Sequence, residues 1–173
     1  PGSNGEVVAA VGARLHDSTD EVNAGLVQVY KKLSSTSSWS ALGTEIIGDR
    51  GQSIEEYHTG DEFGFSISLG NIQSDKSLRL AVGSPNFDAD VGGRPNYYHG
   101  QVSLYEISDV SASNDSQDWN EIANGINGDS KDSSGSSVVL STDGKRIAIA
   151  SPNREAWINT ERRPTISMSS ARP

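Results

Sequence analysis

Cysteine is missing from all 173 residues, which excludes disulfide frameworks, thiolate metal sites and cysteine nucleophiles together. That absence suits the cytosol, and it equally suits an exported protein that is stable without bridges. Positive charge is scarce, with 14 Lys plus Arg against 23 Asp plus Glu and a formal net charge of −9. Such a chain repels a nucleic-acid backbone, so nucleic acid is not an expected partner. Aromatic residues make up 6% and apolar residues 34%, which allows only a modest core. No apolar run approaches the roughly 18 residues that cross a bilayer, so no membrane span is expected in this stretch. Also absent are a Gly-x-Ser-x-Gly elbow, a His-Glu-x-x-His helix and a phosphate-binding glycine loop.

Turn formers are abundant instead. Gly, Ser, Asn and Asp punctuate the chain about every ten residues, the spacing of short strands rather than helices. Between them apolar residues alternate with polar ones: Phe65, Ile67 and Leu69, then Leu78, Leu80 and Val82, and the pairs Val27/Val29, Val102/Leu104 and Val138/Leu140. Period two places each set on one face of a strand, and no stretch holds a convincing helical stripe. The fold class expected is all-β.

The strands recur in a fixed order. Ala81-Val82-Gly83-Ser84-Pro85 returns as Ala148-Ile149-Ala150-Ser151-Pro152, and an earlier copy is Ala10-Val11-Gly12-Ala13. Gly25-Leu26-Val27-Gln28-Val29-Tyr30 matches Gly100-Gln101-Val102-Ser103-Leu104-Tyr105 at an offset of 75. Trp39, Leu42, Ile46, Gly48 and Asp49 match Trp119, Ile122, Ile126, Gly128 and Asp129 at an offset of 80. Phe63 to Leu69 matches Ser134 to Leu140 at an offset of 71. One unit therefore reads as strands near 63–69, 78–84, 100–106 and 119–126, and four short strands per unit is the pattern of a propeller blade. Asp143-Gly144 and Asn4-Gly5 supply hairpin turns. Trp39 and Trp119 are expected to fill the wedge between neighbouring sheets, and Gly12 and Gly83 to permit close backbone approach.

These blocks resemble the FG-GAP repeat family, the blade repeat of the integrin α-subunit N-terminal propeller. The resemblance rests on Phe63-Gly64 with Gly83-Ser84-Pro85, on the weaker Gly135 with Ser151-Pro152, and on the Gly-x-Val-x-Val/Leu-Tyr strand. It implies β-propeller blades over 1–153, in units of about 1–60, 61–133 and a partial 134–153; the segment 154–173, with Trp157 and Arg162-Arg163, departs from the repeat and reads as a divergent tail, foreign or disordered. About two complete four-stranded blades plus partial ones cannot close a propeller of about four to eight. The chain thus reads as a fragment of a larger propeller, with the remaining blades expected in the same protein. The family's calcium loops would fall at 70–77 and 141–145, but each holds a single carboxylate, Asp75 and Asp143. Calcium takes about six to eight oxygens, so no metal and no cofactor is expected, and Asp143 is a turn former.

Connections in an antiparallel blade alternate between two rims. Loops 13–24, 48–62, 84–99 and 128–133 then share one rim, which carries 12 of the 23 acids. The candidate ligand-binding residues are Asp88, Asp90, Tyr97, Tyr98 and His99 in one loop, with Asp17, Asp20 and Glu21 in the matching loop of the preceding unit. Such a rim suits a cation, a basic protein surface or a glycan; against it stands a merely solvated surface. His16, His58 and His99 lack metal-ligand spacing from one another. Asn114-Asp115-Ser116 is an acceptor triplet for N-glycosylation. The expected function is a non-enzymatic binding or adhesion module, extracellular or at the cell surface, contacting protein or glycan. The alternatives are a scaffold repeat without its own ligand and a propeller hydrolase or lyase.

Overall fold

Short alternating runs bounded by Gly, Asn and Asp give antiparallel strands in a computed structural model, which describes residues 7–18, 22–34, 37–48, 60–72, 77–88, 98–108, 110, 118–153 and 165–170. The chain is all-β, with no helix among the described residues. Sheet one holds β1 (Val7–Ala13) paired to β2 (Leu26–Lys32), with β3 (Ser40–Ala41) and β4 (Ile46–Ile47) both on the far edge of β2. Sheet two runs β5 (Ser66–Ile72), β6 (Ser77–Ser84), β7 (Gln101–Ile107) and β8 (Asn120–Asn127), in that order. Sheet three is β9 (Ser137–Leu140), β10 (Arg146–Ser151) and β11 (Thr165–Ser170), with β10 in the middle.

β6 shows how composition sets packing. Leu78, Leu80 and Val82 face sheet one, Ala81 faces sheet three, and nearly every residue of the strand is buried. Burying each such Leu or Val stabilises by about 1.5–3 kcal/mol. The first interface joins Val27, Val29 and Leu42 of sheet one to Leu78, Leu80, Val82, Ile107 and Trp119 of sheet two. The second joins Ala81, Val102 and Leu104 of sheet two to Val138, Leu140, Ile147 and Ile149 of sheet three. The two interfaces are equivalent: Val27 and Val29 correspond to Val102 and Leu104, and Leu80 and Val82 to Ile147 and Ile149, at the offsets of 75 and 67 found in the sequence.

Glycine permits the close approach at both interfaces. A Cβ on Gly12 would collide with the Gly64 carbonyl, and one on Gly83 with the Gly135 carbonyl. Gly64 and Gly135 have φ of 87° and 85°, where a side chain is strained. Between sheets two and three, Ser66 Oγ donates to Gly135 O at 2.7 Å and Leu140 N–H to Ser68 Oγ at 2.9 Å. The Asp143-Gly144 turn forms as expected, with Gly144 at φ 65° and its N–H on Ser141 O at 2.8 Å. Asn4-Gly5 lies outside the described residues.

Four expectations need correction. Trp119 is buried between sheets one and two and donates its indole N–H to Leu42 O at 3.0 Å, whereas Trp39 is 49% exposed. The face of sheet one that carries Trp39 has no neighbouring sheet among the described residues, so the same position packs in one unit only. Leu42 is buried while its sequence match Ile122 is exposed. Register shifts on β7–β8 move the outer strand, and Ala123 packs inward there instead. Phe65 leaves the apolar row of Ile67 and Leu69: it precedes β5, is 45% exposed, and lies 5.4 Å beneath the Arg14 guanidinium. Within the divergent segment, Thr165–Ser170 is a strand in register with β10 rather than disordered chain, because β10 would otherwise present an open backbone edge.

Candidate functional site: the loop rim

The rim is built from backbone first. Gly25 bridges Phe63 and Gly100 bridges Ser134, both in the parallel sense, so each loop entering the third strand of a unit lies beside the segment entering the next sheet. The hydrogen bonds repeat atom for atom. Phe63 N–H donates to Ala24 O at 3.2 Å and Ser134 N–H to His99 O at 3.1 Å; Gly48 N–H donates to Gly25 O at 3.0 Å and Gly128 N–H to Gly100 O at 2.9 Å. Asn23 and Tyr98 correspond, as do Glu62 and Ser133, and all four have positive φ. Left-handed backbone at non-glycine positions is uncommon, and its recurrence at matched places marks a shared loop geometry. The described ends of these loops therefore lie side by side at matched places in the two units.

Aspartates close these loops at their bases. Asp17 Oδ1 accepts the Asn23 N–H at 2.9 Å. At the matching place, Asp88 Oδ1 lies 3.1 Å from His99 Nδ1, with both side chains part-buried. With Nδ1 donating to the carboxylate, the ring is fixed in orientation and Nε2 is the acceptor of the neutral form. A carboxylate-held imidazole is one component of acid/base chemistry. Its counterpart in the first unit is Ala24, so the two loops share an aspartate at the matching position but not the group it holds, a backbone N–H in one and an imidazole in the other.

Two rim acids turn inward. Asp61 and Asp132 correspond at an offset of 71, three residues before Gly64 and Gly135, and are only 6% and 2% exposed. Asp132 Oδ2 accepts the Asp129 N–H at 3.0 Å, and its main-chain carbonyl accepts the Asn153 N–H at 3.3 Å. They belong to the frame and not to an open contact surface, which corrects the count of acids available there. At Asp132 burial of the carboxylate is tolerable because the Asp129 N–H donates to it. Glu62 is also engaged, its Oε2 lying 2.5 Å from Arg14 Nη1.

Of the residues singled out by sequence, the structure brings Asp88 and His99 together, places half-buried Tyr98 beside them at φ 33°, and keeps Asp17 in its own loop. Asp20, Glu21, Asp90, Tyr97 and Asn114 lie outside the described residues. Sequence reasoning counted Asp61, Asp132 and Arg14 on the rim but missed that the two aspartates turn inward and that Arg14 pairs with Glu62. The first two are signalled by the recurrence of Asp three residues ahead of a repeated Gly. Arg14 carries no local signal, since its partners Glu62 and Phe65 are 48 or more residues away. Among the described residues, no three of His, Asp or Glu form a group that could hold a metal ion, and no helix is long and apolar enough to cross a membrane. No protein-family model matches the chain, and a search of curated proteins returned no match.

Proposed function

We propose that the chain is a segment of an FG-GAP-like β-propeller and serves as a non-enzymatic binding or adhesion module, extracellular or at the cell surface, that meets protein or glycan through the loop rim. The observation that carries this reading is the repeated rim frame: two loops with the same main-chain hydrogen bonds, the same positive-φ positions and an aspartate at the matching position. A rigid frame that holds loops of different length and sequence is how scaffolds present variable contact residues. Loop 84–99 is longer than loop 13–24 and adds the Asp88–His99 pair. The excess of acid over base favours a partner with a basic surface or a hydroxyl-rich one.

The scaffold reading has its own support, because Asp17, Asp61, Glu62, Asp88 and Asp132 are all committed to the fold. Amide-detected NMR titration with an oligolysine peptide and with a panel of neutral oligosaccharides separates the two. Binding predicts shifts confined to 13–24, 84–99 and 128–133 for at least one probe, with the peptide's effect weakening as salt rises. Shifts spread over both rims, or none with either probe, would leave the scaffold reading.

A further inference from the structure

The turn that enters sheet two and the turn that enters sheet three share one backbone and differ in their side chains. Phe65 N–H donates to Glu62 O at 3.0 Å, and Ser136 N–H donates to Ser133 O at 3.3 Å. In the second turn the serines satisfy each other, with Ser136 Oγ donating to Ser133 O at 2.7 Å. In the first turn the same positions hold Glu62 and Phe65, and both are engaged by Arg14, whose place one unit later is taken by Pro85. The guanidinium lies over the Phe65 ring while its Nη1 donates to Glu62 Oε2. Two serines and a proline build the same turn in the next unit, so the frame does not require this trio. A single exposed Phe is ordinary; one set into a charge pair that the repeat does without calls for another reason.

The trio lies on the rim at the seam of sheets one and two, beside the close approach of Gly12 to Gly64, where both neighbouring sheets are in place. Three kinds of group converge there. Phe65 offers an apolar ring, 45% exposed. Arg14 has five N–H donors, of which Glu62 takes one and no other described residue accepts any. Glu62 Oε1 remains as an acceptor beside them. The charges of Arg14 and Glu62 cancel, so the seam is locally neutral on an acidic rim. A basic peptide is repelled by Arg14 at this spot, and an anionic ligand is repelled by the chain as a whole. A neutral sugar meets all three groups: its C–H face packs on the ring, and its hydroxyls, which both donate and accept, answer the guanidinium and the carboxylate. We infer that Arg14, Glu62 and Phe65 form a subsite for one ring of a neutral glycan. This rests on the reading of the rim as a binding surface and narrows its partner at this seam.

Calorimetry on the 173-residue chain tests the subsite with neutral trisaccharides ending in mannose, galactose, glucose or N-acetylglucosamine. At least one should bind saturably with a Kd of about a millimolar or tighter, and intermolecular Overhauser contacts should join its ring protons to Phe65. The affinity should not change with salt, unlike that of oligolysine. Phe65→Ser introduces the residue that the second turn already carries, so circular dichroism should be unchanged while binding weakens about tenfold or more. Arg14→Met, which keeps the stem and loses the donors, should weaken it as well, and Phe65→Trp should hold or tighten it. No binding of any of these sugars up to ~50 mM overturns the subsite, and the oligolysine titration then decides separately whether the rim binds at all. Sugar binding that survives Phe65→Ser, with contacts in loop 84–99, also overturns the subsite and leaves the rim a binding surface.

Discussion

Trp119 and Trp39 occupy the same position of two units, and their surroundings decide what each contributes. Trp119 fills the junction of sheets one and two and satisfies the Leu42 carbonyl. Trp119→Phe keeps most of the apolar contact and loses the hydrogen bond, an expected cost of about 1–2 kcal/mol. Trp119→Ala should cost about 3–5 kcal/mol, while Trp39→Phe should stay within about 0.5 kcal/mol. Urea unfolding of the three variants checks the order, and equal sensitivity at both tryptophans would contradict it. Asp132 is the other residue with an unequal role, being buried and backbone-bonded. Asp132→Ala should destabilise by about 1–3 kcal/mol, since it empties a buried position and leaves the part-buried Asp129 N–H without its acceptor. Asp129→Ala, at the exposed neighbour, should change stability by about 0.5 kcal/mol or less. Asp143 titrates in the acid range. The Ser141 hydroxyl first and the Lys145 N–H next favour its charged form, with smaller help from Arg146 and Lys145 charges, and hold its pKa below 3.8. A depressed folded value means that its contribution to stability is complete above the unfolded pKa and is lost as pH falls through the folded one. Carboxyl-carbon NMR should place the Asp143 midpoint below 3.8, and a midpoint at or above that value would contradict the turn geometry.

At the scale of elements, sheet spacing depends on glycine. Gly83→Ala pushes a methyl group into the Gly135 carbonyl, and Gly12→Ala does the same at Gly64. Each should cost about 1–3 kcal/mol as the neighbouring sheet shifts, with the two values similar because the contacts correspond. Thermal or urea unfolding of both variants tests that symmetry. Most central strands were legible in the sequence because period two and turn residues act locally: β6 and β7 fall within a residue or two of their expected ranges. The outer strands were less so. β8 is bulged against β7, and its counterpart is broken into β3 and β4 around Gly43, at φ 76°. These edges carry few buried side chains to fix register, so the match of Leu42 with Ile122 held in sequence and failed in space. β11 was illegible for a different reason. It occupies the place of a third strand without the Gly-x-Val-x-Val/Leu-Tyr pattern, and its pairing with β10 is set by the partner's open edge. In the rim, the loop positions were legible from topology, but the inward turn of Asp61 and Asp132 was not, because composition counts a carboxylate without saying which way it faces.

At the scale of the whole molecule, the account reduces to a stack of equivalent sheets joined by two equivalent interfaces. The rim frame, the unequal tryptophans and the exposed face of sheet one all follow from that equivalence and from where the stack stops among the described residues. Nuclear Overhauser contacts across both interfaces test it most directly. The account predicts that Gly12 and Gly64 are in contact and that Gly83 and Gly135 are in contact, with the Trp119 indole proton beside Leu42 and no matching partner for the Trp39 indole. One glycine pair in contact without the other, or the two indole protons in like surroundings, would contradict it.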